Sequence, residues 1–366
     1  MDYRISSYKV STGNKPVSLA CMIGGAVLLV LALIFDFMKI SIPILGIELR
    51  GAFLVIGAIG IFVGLYFFPT ETHHRNIINV IFLFPLLFAF AVTVIIPLIL
   101  GVGYSFTDWD GIRMREVVGF ANYIKMFSQP SFIWSILITV LFVVFNMILV
   151  NLVAFLLALL CTSRIKGMGF FRAAYFLPNL IGGIVLGYIW QFIFSNVVTK
   201  WTSALSGSQY SMLSDTKTAF IAIIIVYVWQ YAGYIMLIYV TGLNTVPIDV
   251  LEAAAIDGAS PMQTLFEIKI PMIASTFTIC TFLTLTSAFK MFDVNLALTN
   301  GTGSVSDFMG SYITNGSEML ALNIYSTAVV ENNYALGEAK AVLFFIILAA
   351  VSILQVRLTA SKEVEL

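Results

Sequence analysis

The sequence predicts an all-α membrane protein of about eight spanning helices, and three observations carry that prediction. Only 10% of the 366 residues are charged and 60% are hydrophobic. A soluble globular chain carries about 25% charged residues, so the charges here are too few to cover a water-facing surface of this size. The apolar residues fall into uncharged runs close to the roughly 20 residues a helix needs to cross a bilayer. Those runs are continuous rather than alternating, which speaks against a β-barrel.

Taken in order, the runs are Pro16–Phe35, Gly51–Thr70, Ile77–Thr107, Met126–Ser163, Ala173–Thr199, Thr218–Ile248 and Ile270–Phe289. An eighth, Ala341–Val356, reaches spanning length only if its helix starts near Leu336. The polar start "MDYRISSYKV" precedes a run with no small-residue cleavage site after it, so the first run is expected to be an uncleaved span. With eight spans, ten Lys and Arg fall on one side, including the crowded loop "TSRIKGMGFFR", and eight fall on or near the other; Lys340 lies within the last span. Basic residues favour the cytoplasmic side of short loops, so both termini are expected inside. The division is residues 1–76 (a tail and two extra spans), 77–357 (a six-span core) and 358–366 (a tail).

Between the sixth and seventh runs stands a polar insert, "EAAAIDGASPMQTLFEIKIP", residues 252–271. Asp249, three residues before Glu252, reads as an acidic N-cap with Pro247 upstream. Ala253–Ala255 favour helix because alanine loses no side-chain entropy. Gly258 stops that helix, since glycine takes the left-handed turn readily. Ser260, Pro261 and Gln263 then spell a second capping box, and the second helix should end before Pro271. Two short helices hinged at Gly258 make either a lever for an outside protein or an amphipathic elbow on the membrane surface. Composition does not separate the two.

The insert resembles the EAA motif of ABC importer permeases, and it matches that pattern at Glu252, Ala253, Ala254, Asp257, Gly258, Ala259, Phe266, Ile268 and Pro271. "PLILGVGYSFTDWDG", "VGFANYIKMF", "FFRAAYFLPNLIGGIVLGYIWQFIF", "AFKMFDVNLALTNG" and "YALGEAKAVLFF" are similar to the maltose- and glycerol-phosphate-type permeases of the carbohydrate-uptake branch, over residues 77–357. The resemblance implies a type I importer core of six helices plus two N-terminal helices, with the coupling loop at 244–271 facing the cytoplasm of a bacterium or archaeon. It also implies partners: a second homologous permease, two ATP-binding cassette subunits that hold ATP and Mg, and an extracytoplasmic solute-binding protein. The outer stretch "NGTGSVSDFMGSYITNGSEML" departs from the family pattern.

Candidate binding residues come from two sources. "VYVWQYAGYIM" places Tyr227, Gln230, Tyr231 and Tyr234 at i, i+3, i+4 and i+7, on one helical face. Three phenols and an amide suit a polyol; an interfacial aromatic belt or helix packing is the plainer reading. The resemblance adds Asn179 and Gly183 after "FLP", and Thr284 and Ala288 after the insert. The run Gly182–Gly187 also suits close helix packing. Lys290 could answer an acidic sugar, but a lipid-interface or loop contact is the expected role.

Several chemistries find no support in the residues. The chain has no G-x-x-x-x-G-K-[ST] phosphate loop, so ATP, if used, is bound elsewhere. Cys21, Cys161 and Cys280 are far apart and show no metal-ligand spacing. His73 and His74 are adjacent, without carboxylate or cysteine company, and are expected in a solvated loop. A net charge of zero gives no reason to expect nucleic acid. No nucleophile–base pair stands out, so neither a catalytic site nor a metal is expected. An ion-coupled secondary carrier or channel is the main alternative. It is disfavoured because Lys290, Glu338 and Lys340, the charges nearest the spans, lie near span ends where long side chains can snorkel.

Overall fold

A computed structural model describes residues 15–37, 43–44, 47–66, 75–163, 167–206 and 211–360. The readings placed on His73, His74, Arg164 and Lys166 lie outside these residues. The chain separates into two compact units, 1–97 and 98–366. Five helices among the described residues are long and apolar enough to cross a membrane, and two bent helix pairs raise the number to seven. The run expected at Gly51–Thr70 forms a helix whose apolar part, Gly51–Leu65, is shorter than a full span.

In the first unit, α1 (Lys15–Phe37) and α2 (Leu49–Tyr66) form a helical hairpin around a two-strand turn, β1 (Pro43–Ile44) and β2 (Ile47–Glu48). Small residues set its closeness. A Cβ added to Gly25 would lie 2.6 Å from the Gly57 carbonyl oxygen, and the Ser18 hydroxyl donates to the Gly64 carbonyl. Backbones meet this closely in membranes where glycine removes the side-chain barrier.

The next span, α3 (residues 75–104), includes a π-type turn at Ala91–Ile95. A loop then folds on itself. Asp108 accepts the backbone N–H groups of Glu116 and Arg115 at 2.9 Å each, and Asp110 accepts those of Arg113 at 2.7 Å and Ile112 at 3.0 Å. These bonds stabilise the charged forms and hold both carboxyls below the usual carboxylate range.

The second unit continues with α4 (Ala121–Phe127), α5 (Pro130–Cys161), α6 (Met168–Leu180), α7 (residues 183–206) and α8 (Thr216–Asn244). The insert forms α9 (Ile248–Ile256) and α10 (Pro261–Met272), followed by α11 (Ala274–Phe289) and the short α12 (Asp293–Leu298). A hairpin of β3 (Val305–Phe308) and β4 (Ser311–Ile313), then α13 (Leu320–Val330), lead to the last span, α14 (Tyr334–Ala360).

Helices α5, α8 and α11 build the core, with Phe142, Val150, Tyr227, Met236, Tyr239 and Cys280 fully buried. Asn151 on α5 ties the three together: it accepts from the Tyr239 hydroxyl at 2.9 Å and donates to Thr284 Oγ1 at 3.3 Å. A polar side chain bonded to two neighbouring helices fixes their register without leaving an unpaired group in the bilayer.

The single run expected at Ala173–Thr199 is broken. Helices α6 and α7 meet at 96°, with Ile181 and Gly182 extended between them. No charge marks the break in the sequence; two consecutive glycines and Pro178 weaken the helix there.

Lys340 also departs from expectation. It does not snorkel. Its side chain is buried, its ammonium donates to Asn323 Oδ1 at 2.9 Å and Thr327 Oγ1 at 2.7 Å, and it lies over the Phe132 ring. Residue 340 falls on the face of α14 that packs against α13, so the ammonium finds partners in place. Asn323 also donates to buried Glu318, whose carboxylate accepts from Ser326 and Asn315. This network ties the segment after the hairpin to the last span.

Candidate functional site

Two places carry the chemistry, a cavity where the broken helix pair meets α8 and the insert after α8. The cavity, of about 320 Å³, is lined by Asn179, Gly183, Gln230, Tyr231, Ser287, Lys290 and Asp293 among others. Non-helical backbone at membrane depth is tolerated where it is buried in protein or lines a water-filled space, and the extended Ile181–Gly182 link lines this one. Gln230 spends its amide N–H on the Ile181 carbonyl at 3.4 Å. Its own amide oxygen is buried with no donor among the described residues. An acceptor left dry costs about 1–3 kcal/mol.

Gly183 is what lets Asp293 stand here. A Cβ at Gly183 would lie 2.7 Å from the Asp293 Cβ and 3.2 Å from a carboxylate oxygen. Asp293 therefore sits beside the first turn of α7 and also begins α12. Free N–H groups and the helix dipole favour a carboxylate at both positions.

Of the residues expected to touch a substrate, Asn179, Gly183, Gln230 and Tyr231 come together at this cavity. The other four do not line it. Tyr227 is fully buried, stacked on Tyr231 at 4.3 Å and edge-on to Phe142; its hydroxyl has no hydrogen-bond partner among the described residues. Tyr234 packs half-buried against the core. Thr284 is buried, donating to the Cys280 carbonyl at 2.8 Å and accepting from Asn151. Ala288 is buried in the same core. The face of α8 is wide enough for both roles: its middle meets the hollow while its edges meet α5 and the core. Lys290, expected at a lipid interface or loop contact, lines the cavity with Asp293. Asp293 and Ser287 were missed. The signal was "KMFD", two opposite charges three residues apart in an apolar region.

The insert is a helix–glycine–helix unit. Gly258 has φ +79°. Its N–H bonds the Ala255 carbonyl at 3.2 Å and the Ala259 N–H bonds the Ala254 carbonyl at 3.0 Å, the two-bond Schellman ending. The Ser260–Gln263 capping box is present, with both reciprocal bonds. Two expectations fail. Asp249 does not cap α9: Pro247 holds the N-cap position with extended backbone, and Asp249 lies inside the first turn, where its charge still complements the dipole. The second helix does not end before Pro271 but runs through it to Met272. A π-type turn at Thr264–Lys269 precedes Pro271, the kind of local adjustment that accommodates a proline. The bend, of 71°, comes at Ile273.

Of the motif residues, Glu252, Ala253, Asp257, Gly258, Phe266 and Pro271 are exposed, Ala259 and Ile268 half-buried, and Ala254 buried. Ile256, Met262 and Phe266 present 86%, 64% and 58% of their surfaces. Large apolar side chains on a polar, capped insert form a surface suited to a protein partner.

The fold and the insert define a membrane transport subunit. Residues 56–362 match the family described as "Binding-protein-dependent transport system inner membrane component", and the chain belongs to that family. It is 40% identical over 287 residues to a probable starch degradation products transport system permease protein of Thermoanaerobacterium thermosulfurigenes, covering 78% of this chain and 95% of that one. It is 30% identical to a multiple sugar-binding transport system permease protein of Streptococcus mutans, covering 73% and 90%. A crystal structure of a bacterial ABC transporter that imports the acidic polysaccharide alginate contains a chain of the same fold, with TM-score 0.66, 16% identity and coverage of 80% and 99%.

Proposed function

We propose that this chain is the membrane-spanning subunit of an ATP-driven importer for sugars or oligosaccharides, and that α9–Gly258–α10 is the part gripped by a separate ATPase. The observation that carries the reading is the insert itself: two capped helices locked by a left-handed glycine, with Ile256, Met262 and Phe266 uncovered. A rigid elbow joined directly to α8 and α11 transmits displacement to the two helices that meet at the cavity. The family membership and the sugar-permease relatives support the same assignment.

In this reading ATP and Mg are held by two partner ATPase subunits, a second homologous permease completes the pathway, and a solute-binding protein delivers the sugar. The insert faces the cytoplasm, with both termini on that side. Arg172 and Arg357 then lie inside with it, and the Asp108–Asp110 loop lies outside.

The mid-span cavity suits a polyol. The Tyr231 ring offers a face for C–H patches, and the Asp293 carboxylate accepts from hydroxyls. Lys290 balances Asp293, so the lining has no net charge and fits an uncharged sugar better than an acidic one. Uptake of labelled saccharides by cells with and without this chain tests the reading. Loss of uptake in the deletion, restored by the wild type but not by Glu252→Lys, is the expected result. Uptake unaffected by deletion, or fully restored by Glu252→Lys, contradicts it.

A further inference from the structure

A groove of about 590 Å³ runs along the seam of α5, α6 and α8, lined by Leu149, Val153 and Leu157 of α5, Ala174 of α6, and Val228 and Trp229 of α8 among others. We propose that it is a phospholipid site: one acyl tail lies in the groove, and the guanidinium of Arg172 at its end holds the phosphate of an anionic headgroup of the phosphatidylglycerol class. The site does not depend on the cargo; only the naming of its leaflet as the cytoplasmic one rests on the orientation proposed above.

Three observations carry it. First, the lining suits a hydrocarbon tail. It holds no charged side chain, and apart from the tips of Tyr175 and Trp229 every lining side chain is apolar. Ala174, Ile225 and Trp229 at its rim are exposed, so the groove opens sideways toward the bilayer. Second, a charge stands at its end. Arg172 donates from Nη2 to the Cys161 carbonyl at 2.5 Å, and Cys161 lies one turn beyond Leu157 on α5. Tyr175, one turn on from Arg172, lines the groove. The Nη1 group of Arg172 is neither buried nor hydrogen-bonded, and no carboxylate pairs with the guanidinium among the described residues. A guanidinium fits phosphate oxygens, and basic pockets between spans bind anionic headgroups. A choline headgroup brings its own cation, and an apolar partner helix laid in the groove would leave Arg172 without a counter-charge. Third, the lengths agree. Leu149 to Leu157 spans about 12 Å of helix axis, and Leu149 to Cys161 about 18 Å. The hydrocarbon of one leaflet is about 15 Å deep, so a tail that reaches Leu149 brings its phosphate to the level of Arg172. Helices α5 and α8 run in the same direction, with Phe142 on Tyr227 and Phe155 on Tyr239, so this end lies on the side of the insert. Ile181 lines both this groove and the mid-span cavity; a bound tail therefore touches the α6–α7 bend itself.

The experiment uses the assembled transporter reconstituted in phosphatidylcholine bilayers. The probes are phosphatidylglycerol and phosphatidylcholine with brominated tails, and the readout is the fluorescence of Trp229, taken as the difference from Trp229→Phe. Brominated phosphatidylglycerol is expected to quench Trp229 at about five-fold lower mole fraction than brominated phosphatidylcholine, the effect of one basic residue facing an anionic lipid. Unbrominated phosphatidylglycerol is expected to relieve that quenching. Arg172→Gln, which keeps an amide donor for the Cys161 carbonyl, should erase the difference between the lipids. Ala174→Phe, which fills the groove from its rim, should weaken quenching by both. Equal quenching by the two lipids in the wild type, or a preference that survives Arg172→Gln, overturns the headgroup site; the wild-type competition decides alone where Arg172→Gln does not insert. A Trp229 that neither lipid quenches shows the groove covered by a protein partner and overturns the proposal outright. Each of these failures leaves the sugar-importer reading intact, since uptake is not the readout.

Discussion

Replacing Gly258 is the sharpest perturbation of the insert. Its φ of +79° lies in the left-handed region, and a Cβ added there would meet nothing within 4 Å. Gly258→Ala therefore tests backbone conformation with no steric contribution. An L-residue in that region costs roughly 1–2 kcal/mol, which shifts an equilibrium by about 5–30-fold. Gly258→Pro goes further. Proline cannot leave φ near −65°, it removes the N–H that bonds Ala255 at 3.2 Å, and it disfavours the helical backbone of Asp257 before it. The assay is sugar-stimulated ATP hydrolysis and uptake in the assembled transporter, with the amount of inserted chain measured in parallel. Uptake is expected to fall several-fold in Gly258→Ala and to background in Gly258→Pro, at normal insertion. Wild-type uptake and stimulation in Gly258→Pro would refute the lever.

Other consequences follow from the same geometry. Tyr231→Ala and Gln230→Ala should each raise the KM for uptake by about ten-fold while ATPase assembly, read by co-purification, stays intact; normal uptake in both would remove the mid-span cavity from the pathway. Gly183→Ala should displace Asp293 and lower uptake without lowering expression, and Asp293→Asn should lower it by loss of charge alone, so two variants with wild-type uptake would show that Asp293 does not face the cargo. Lys340→Met leaves the Asn323 oxygen without its buried donor and should destabilise the segment after the hairpin by about 1–3 kcal/mol, seen as a lower Tm in detergent; an unchanged Tm would mean the network contributes nothing. The carboxyls of Asp108 and Asp110 titrate below their ordinary value, so the stability they lend the loop is complete above the unfolded value of ~3.9 and is lost as pH falls through the depressed folded values. Limited proteolysis of the loop should therefore be flat from neutral pH to about pH 4 and rise only below that; a rise between pH 5 and 7 would contradict the assignment.

What the sequence revealed depended on how local the determining physics was. Gly258 and the Ser260–Gln263 box were legible because their hydrogen bonds close within a few residues. Asp249 was misplaced by two positions because Pro247, already extended, could serve as the boundary without a side-chain bond. The α6–α7 break was hidden inside an apolar run, since Gly182 and Gly183 are compatible with both a helix and a bend. The stripe on α8 was half informative: periodicity put four residues on one face, but only tertiary packing decided that Gln230 and Tyr231 meet the hollow while Tyr227 turns to Phe142. Asp293 reaches Gly183 across 110 residues of chain, and no local pattern encodes that approach. Lys340 was read as a snorkelling cation because its partners Asn323 and Thr327 lie on a different helix.

The central claim is that this bundle is moved by energy released in another subunit through the α9–Gly258–α10 elbow. Reconstitution into liposomes measures it most directly, with this chain and its partner permease assayed for concentrative sugar uptake before and after adding the ATPase, binding protein and ATP. Accumulation only in the complete mixture, abolished by Gly258→Pro, is the predicted result. Uphill uptake by the chain without an ATPase would contradict it.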